Sequence, residues 1–285
     1  MENFLGIEGR LAALEQARVV ILPVPHDATT SYLAGARHAP KAILRASHHI
    51  EEYDEELERE PMEVGIHTCD PVEPHPTDPA ETVARVERRC GKLLEQGRFV
   101  ITLGGDHTVA VGAGRAHAAH FDGVTFLQLD AHADLRDSYE GSPYSHACAA
   151  RRLSEVGEVV QVGIRSISSE DAAYLRARQS WPITAQRIAE EEGDGWMDEV
   201  LERLGPRVYL TFDVDGLDPS LMPATGTPEP GGLGWWQTLR LLRRVGRERR
   251  VVGADVCELL PTPGLHCCDV LAARLVYKMV GYFVR

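Results

Sequence analysis

Lysine is nearly missing from this 285-residue chain: Lys41, Lys92 and Lys278 are its full complement, while arginine is abundant. That bias reads as genome composition rather than function. Also missing is any apolar run long enough to cross a bilayer. Met1-Glu2-Asn3-Phe4 has neither the basic nor the apolar region of a secretory signal. Cysteine is sparse, and Cys69, Cys90, Cys148, Cys257, Cys267 and Cys268 are scattered through a large apolar chain. This excludes a small disulfide-stapled domain and predicts reduced thiols in a cytoplasmic protein. A net charge of -13 speaks against nucleic acid or an anionic membrane as the main partner, and is compatible with a small cationic substrate.

What is present is enough apolar residue, 44%, for one large core. Short β-branched runs alternate with amphipathic stretches. Strands are predicted at 18–23, 64–67, 99–103, 124–129, 159–164, 208–212 and 251–256. Several of these runs are apolar throughout rather than alternating, as strands covered on both faces are. Between them the clearest helix starts at Asp78, with Pro79 at its first position and Glu81 completing a capping box. It runs through Val83, Val86, Cys90, Leu93 and Leu94 to Gly97. Trp235 and Trp236 open another, through Leu239, Leu241 and Leu242. The proline-rich stretch 70–79 leads straight into the first of these helices and reads as a loop. No linker or repeat divides the chain, so residues 1–285 are expected to form a single three-layer α/β domain around a central, mainly parallel sheet.

The chemically informative residues follow the predicted strands. Gly104-Gly105-Asp106-His107, Asp130-Ala131-His132-Ala133-Asp134, Asp213-Val214-Asp215-Gly216 and Cys257-Glu258 all stand at carboxyl ends, the ligand-binding edge of a parallel sheet. Asp130, His132 and Asp134 are spaced two apart, so an extended backbone points them the same way; Asp213 and Asp215 repeat the pattern. Any one of these pairs alone is an ordinary solvated strand end, and Gly104-Gly105 alone is a tight turn. Their joint occurrence at successive strand ends points to metal. Four carboxylates converging without cations would repel one another, and two divalent ions would cancel their charge. Carboxylate-rich ligation with one imidazole per ion suits manganese better than magnesium or zinc. Such a pair acidifies a shared water.

Gly-Gly-Asp-His, Asp-Ala-His-x-Asp and Phe212-Asp213-Val214-Asp215-Gly216-Leu217-Asp218-Pro219 resemble, in order, the signature regions of the arginase–agmatinase (ureohydrolase) family. The run ending Gly226-Thr227-Pro228-Glu229-Pro230-Gly231-Gly232-Leu233 is highly specific, and the likeness reaches from Pro25-His26-Asp27, with Thr29-Thr30-Ser31, to Asp255-Val256-Cys257-Glu258. The resemblance implies an arginase-like fold, assembly as a trimer or hexamer, and two Mn2+ per chain. One ion would be held by His107, Asp130, Asp134 and Asp213, the other by His132, Asp130, Asp213 and Asp215. It further implies that Glu258 anchors the guanidinium, that Asp134 steadies the leaving ammonium and that His146 moves protons. Asp106 and Asp218 would orient ligands or loops. The sequence departs from the family pattern at Ala28, at His146-Ala147-Cys148 and in the tail with His266-Cys267-Cys268. The last two put the substrate in question, not the metals.

The implied reaction is hydrolysis of a guanidino compound to urea and an amine, with agmatine first. Aminopropylagmatine hydrolysis, arginase, formiminoglutamase and guanidinase activities stand behind it. A one-zinc deacetylase would not need both His107 and His132, and a silent binding protein would not need the full ligand set. Arginine would require donors for its α-carboxylate. The segment Asp134-Leu135-Arg136-Asp137-Ser138-Tyr139-Glu140-Gly141 offers Asp137 and Glu140 instead, which are expected to favour a terminal ammonium, with Arg136 working against them.

Overall fold

The computed structural model describes residues 3–284. Eight strands form one sheet: β1 (Val19–Pro23), β2 (Ile66–Thr68), β3 (Phe99–Leu103), β4 (Val124–Leu129), β5 (Glu158–Ile164), β6 (Ile183–Thr184), β7 (Arg207–Asp213) and β8 (Arg250–Cys257). Their order is β2-β1-β3-β8-β7-β4-β5-β6, and every pairing is parallel. The helices are α1 (Ala39–Ser47), α2 (Pro79–Glu95), α3 (Val109–His120), α4 (Ala149–Leu153), α5 (Ser169–Arg178), α6 (Ala185–Glu190), α7 (Gly195–Arg203), α8 (Trp235–Glu248) and α9 (His266–Phe283).

Alternation along the buried strands divides the core in two. Ile21, Ile101, Leu127, Leu210 and Ala254 face the layer of α1, α7, α8 and α9. Leu22, Val100, Phe126, Tyr209 and Val252 face that of α2, α3 and α4. Apolar residues on both faces explain why the strand runs carry little polar alternation. All six cysteines are unpaired, with Cys268 buried and Cys267 exposed at the start of α9.

Three local expectations shift. Residues Pro61–Val64 form a turn of 3-10 helix, and Gly65 at φ 76 delays β2 to Ile66. Asp78 caps α2 through Ala80 N (2.9 Å) and Glu81 N (3.3 Å), but Glu81 completes no capping box. Its carboxylate is drawn to Arg85 and Arg88, both at 3.1 Å, where it meets a full charge rather than one backbone N–H. The two-residue edge strand β6 is too short to carry a periodic signal.

Candidate metal centre and active-site pocket

Topology makes the site. The strands that end in the informative motifs, β3, β8, β7 and β4, are neighbours at the centre of the sheet although they are scattered along the chain. Glycine lets the loops close on this edge. A Cβ on Gly105 would lie 1.8 Å from His26 O, the carbonyl that accepts from Asp106 N at 2.7 Å. A Cβ on Gly216 would lie 2.8 Å from Asp130 N.

Two donor sets result, His107 with Asp130 and Asp134, and His132 with Asp130 and Asp215. Within each set the ligand atoms lie within 4.8 Å of one another, and Asp130 is common to both. His107 Nδ1 stands 3.2 Å from Asp130 Oδ2, 3.1 Å from Asp134 Oδ2 and 3.5 Å from Asp213 Oδ2. His132 Nδ1 stands 2.9 Å from Asp215 Oδ2. Asp213 belongs to neither set; its Oδ2 faces His107, while its Oδ1 accepts from Asp215 N at 2.8 Å.

The electrostatics show a surplus of negative charge. Burial pushes Asp130 up to about 7, helped by Asp134 and Asp215. Burial, with Asp215 and Asp130, pushes Asp213 well above the carboxylate range. Burial works against a charged His107, yet its hydrogen bonds to Asp130 and Asp134 prevail and hold it well above an ordinary imidazole. In His132 the bond to Asp215 likewise overcomes burial, and the ring is pushed up to about 10. Burial and the nearby Asp106 raise Glu258. In the protein alone, protons must therefore play the part of cations among these carboxylates. Oxygen-rich donors with one imidazole in each set fit divalent ions.

Ser31, Asp134, Arg136, Tyr139, His146, Ser166, Ser168, Asp171 and Glu258 line one pocket with His132, Asp213 and Asp215. Glu258 Oε1 accepts from His107 N at 2.6 Å. Both Asp134 (φ 52) and Glu258 (φ 66) adopt the left-handed backbone that non-glycine residues avoid. Asp106, fully buried, accepts from Thr29 N (3.0 Å), Thr29 Oγ1 (2.9 Å) and Thr108 N (3.2 Å). Asp218 accepts from Ser220 N and Gly232 N at 2.9 and 3.1 Å, tying the ends of a loop.

The expectation for Asp137 and Glu140 is overturned. Asp137 turns outward to Arg152 (2.6 Å) and Arg151 (3.7 Å), and Glu140 stands exposed in the turn where Tyr139 and Ser142 bond each other. Neither lines the pocket. Arg136 does, with its guanidinium 4.7 Å over the Tyr139 ring. The carboxylate the sequence did not flag is Asp171. Its Oδ2 accepts from Ser168 N at 2.9 Å in the capping box of α5, while its buried Oδ1 has no hydrogen-bond partner among the described residues.

A polar row crosses the sheet beneath the site. Thr102, Asp255, Thr211, Gln128 and Gln161 lie in register across five adjacent strands, all buried just below the site. His107 Nε2 bonds Thr211 Oγ1 (2.7 Å), which donates to Asp255 Oδ1 (2.9 Å). Gln128 Nε2 donates to Asp130 Oδ2 (2.7 Å) and Gln161 Nε2 to Gln128 Oε1 (2.7 Å). This fixes the His107 ring with Nδ1 turned to the carboxylates. The available signal was a polar residue, Thr102, Gln128, Gln161, Thr211 or Asp255, set among apolar neighbours inside each of these strands.

The family model described as "Arginase family" matches residues 17–281. An N(1)-aminopropylagmatine ureohydrolase of Thermus thermophilus is 45% identical over 95% of this chain and 92% of its own. An agmatinase of Pyrococcus horikoshii is 32% identical over 95% of this chain and 94% of its own. The crystal structure of the agmatine ureohydrolase of Thermoplasma volcanium superposes with a TM-score of 0.89 at 31% identity, covering 99% of this chain and 94% of that one. With the fold and nearly the full length in agreement, this chain belongs to the arginase family and is a ureohydrolase.

Proposed function

We propose that the enzyme cleaves urea from a guanidino alkylamine, agmatine or an amine-extended agmatine. The observation that carries this reading is one pocket in which Asp134, His146 and Glu258 meet the His/Asp donor sets. His107, Asp130, Asp134 and Asp213 would hold one divalent ion, and His132, Asp130, Asp213 and Asp215 the other. Manganese is the ion best matched to these donors. When bound, the pair supplies Lewis acidity and brings hydroxide within reach near neutral pH.

The chain's own residues do the rest. Glu258 receives the planar guanidinium; although Oε1 already accepts from His107 N, each carboxylate oxygen has a second lone pair to offer. Asp134 faces the nitrogen that becomes positive as the C–N bond breaks, and its carboxylate steadies that charge. His146 delivers the proton to the leaving amine. Asp171, Ser166 and Ser168 suit a terminal ammonium, while Arg136 on the same pocket opposes one. Within the class, the amine-extended substrate is favoured by the 45% identity to an N(1)-aminopropylagmatine ureohydrolase, against 32% to the agmatinase.

The test is kcat/KM for agmatine, aminopropylagmatine, arginine and guanidine at equal manganese loading. Either agmatine should exceed arginine by about 30-fold, the value of one like-signed or opposed charge near the distal group. A preference for arginine would remove the substrate assignment and leave the metal chemistry standing. Loss of activity on chelation, restored by manganese, is expected in either case.

A further inference from the structure

We infer that Thr29 is the positioning residue of the proton-transfer arm, its hydroxyl fixing both the place and the tautomer of His146. The inference rests on His146 acting as the proton carrier of the proposed reaction. Thr29 belongs to the loop after β1, whereas His146 follows β4, so only the folded chain brings them together. The Thr29 hydroxyl lies 2.9 Å from Asp106 Oδ2, 3.1 Å from Thr108 Oγ1, 2.9 Å from His146 N and 3.4 Å from His146 Nδ1. Three loops meet at this single oxygen.

Proton accounting decides which way each bond runs. A threonine hydroxyl has one proton and two lone pairs. Asp106 Oδ2, as a carboxylate oxygen, only accepts, so the Thr29 proton goes there. The backbone N–H of His146 only donates and takes one lone pair. Thr108 Oγ1 lies 3.1 Å from both Thr29 Oγ1 and Tyr144 O, and with its one proton on the peptide carbonyl, the stronger acceptor, it leaves the other lone pair of Thr29 free. The remaining lone pair faces His146 Nδ1 and favours a proton on that nitrogen. Nε2, which makes no hydrogen bond to protein among the described residues, is then the basic atom that takes the proton shed by the attacking water and passes it to the leaving amine. At 3.4 Å the ring contact is long, as catalytic hydrogen bonds often are before substrate binds. Ser145 Oγ, also at 3.4 Å from Nδ1, can donate or accept and leaves the choice to Thr29. The Tyr139 ring meets the imidazole edge-on at 6.0 Å and holds its plane.

The experiment compares Thr29→Val, Thr29→Ser and His146→Ala, singly and with Thr29→Val placed in the His146→Ala background. Thr29→Val should lower kcat by about 10- to 100-fold, the cost of a misplaced catalytic group, with KM and metal content unchanged. Thr29→Ser should restore kcat to within about 2-fold, since it returns the hydroxyl. In the His146→Ala background Thr29→Val should have little further effect, because both changes disable one function. The 15N spectrum of the His146 ring, read without substrate, should show the Nδ1–H tautomer in the parent and in Thr29→Ser, and lose it in Thr29→Val. An equal loss of kcat from Thr29→Val with or without His146, or an unchanged tautomer, would overturn the role of Thr29. Full activity in His146→Ala would overturn the proton role of His146 and this inference with it, while urea release would still stand for the proposed reaction.

Discussion

Two buried polar clusters in this molecule are built in opposite ways. At the carboxyl edge of the sheet, five carboxylates, Asp130, Asp134, Asp213, Asp215 and Glu258, gather around two imidazoles. Burial and mutual repulsion raise Asp130, Asp213 and Glu258. Where α9 packs on the loop before Pro61, Lys278 meets Asp54 at 2.9 Å and Glu56 at 3.4 Å. Glu56 also takes bonds from Arg243 and Tyr282. Burial would raise Glu56, yet those partners hold it below the usual range. Asp54 is fixed further by Glu56 N and Leu57 N, each at 3.0 Å. One cluster is complete in itself and serves the fold. The other is complete only with a cation.

That contrast predicts opposite responses to the loss of one charge. Asp130→Asn should cut turnover on the order of 10³-fold, since it removes the donor common to both sets and with it several kcal/mol of Lewis-acid stabilisation. Metal content should fall with it. In metal-free protein the same change should leave the unfolding midpoint equal or higher, because it relieves crowded charge. A lower midpoint for metal-free Asp130→Asn would show the site to be as self-sufficient as the other cluster.

Lys278→Met should do the reverse. Asp54 would be left fully buried without its cation, while half-buried Glu56 keeps Arg243, at a cost of roughly 3–5 kcal/mol, measured by denaturant unfolding, with kcat of the folded fraction retained. An unchanged stability would break the comparison from the other side. A smaller effect sharpens it: Thr211→Val removes the hydroxyl between His107 and Asp255 and should weaken metal binding by about 10- to 100-fold. Calorimetric titration with manganese checks this, and an unchanged affinity would reduce the polar row to a packing feature.

Much of this was legible before folding because it is encoded locally. Seven of the eight strands follow from short β-branched runs, several of them apolar throughout, and Asp78 with Pro79 marks the start of α2. The spacing of Asp130, His132 and Asp134 already implies a common direction, since alternate side chains share a face. What failed was competition between partners. Glu81 chose arginines over its own helix end, and Asp137 chose Arg152 over the pocket. The one-dimensional pattern carries no such ranking.

Sequence by itself determined an α/β fold with acidic and imidazole side chains at successive strand ends, because strand period and carboxyl-end placement are local properties. Tertiary structure alone decided that β3, β8, β7 and β4 stand side by side, that Asp171 rather than Asp137 lines the pocket, and that Thr29 reaches His146. Parallel strands require crossovers, so neighbours in the sheet are distant in the chain, and no local pattern records which of them will meet.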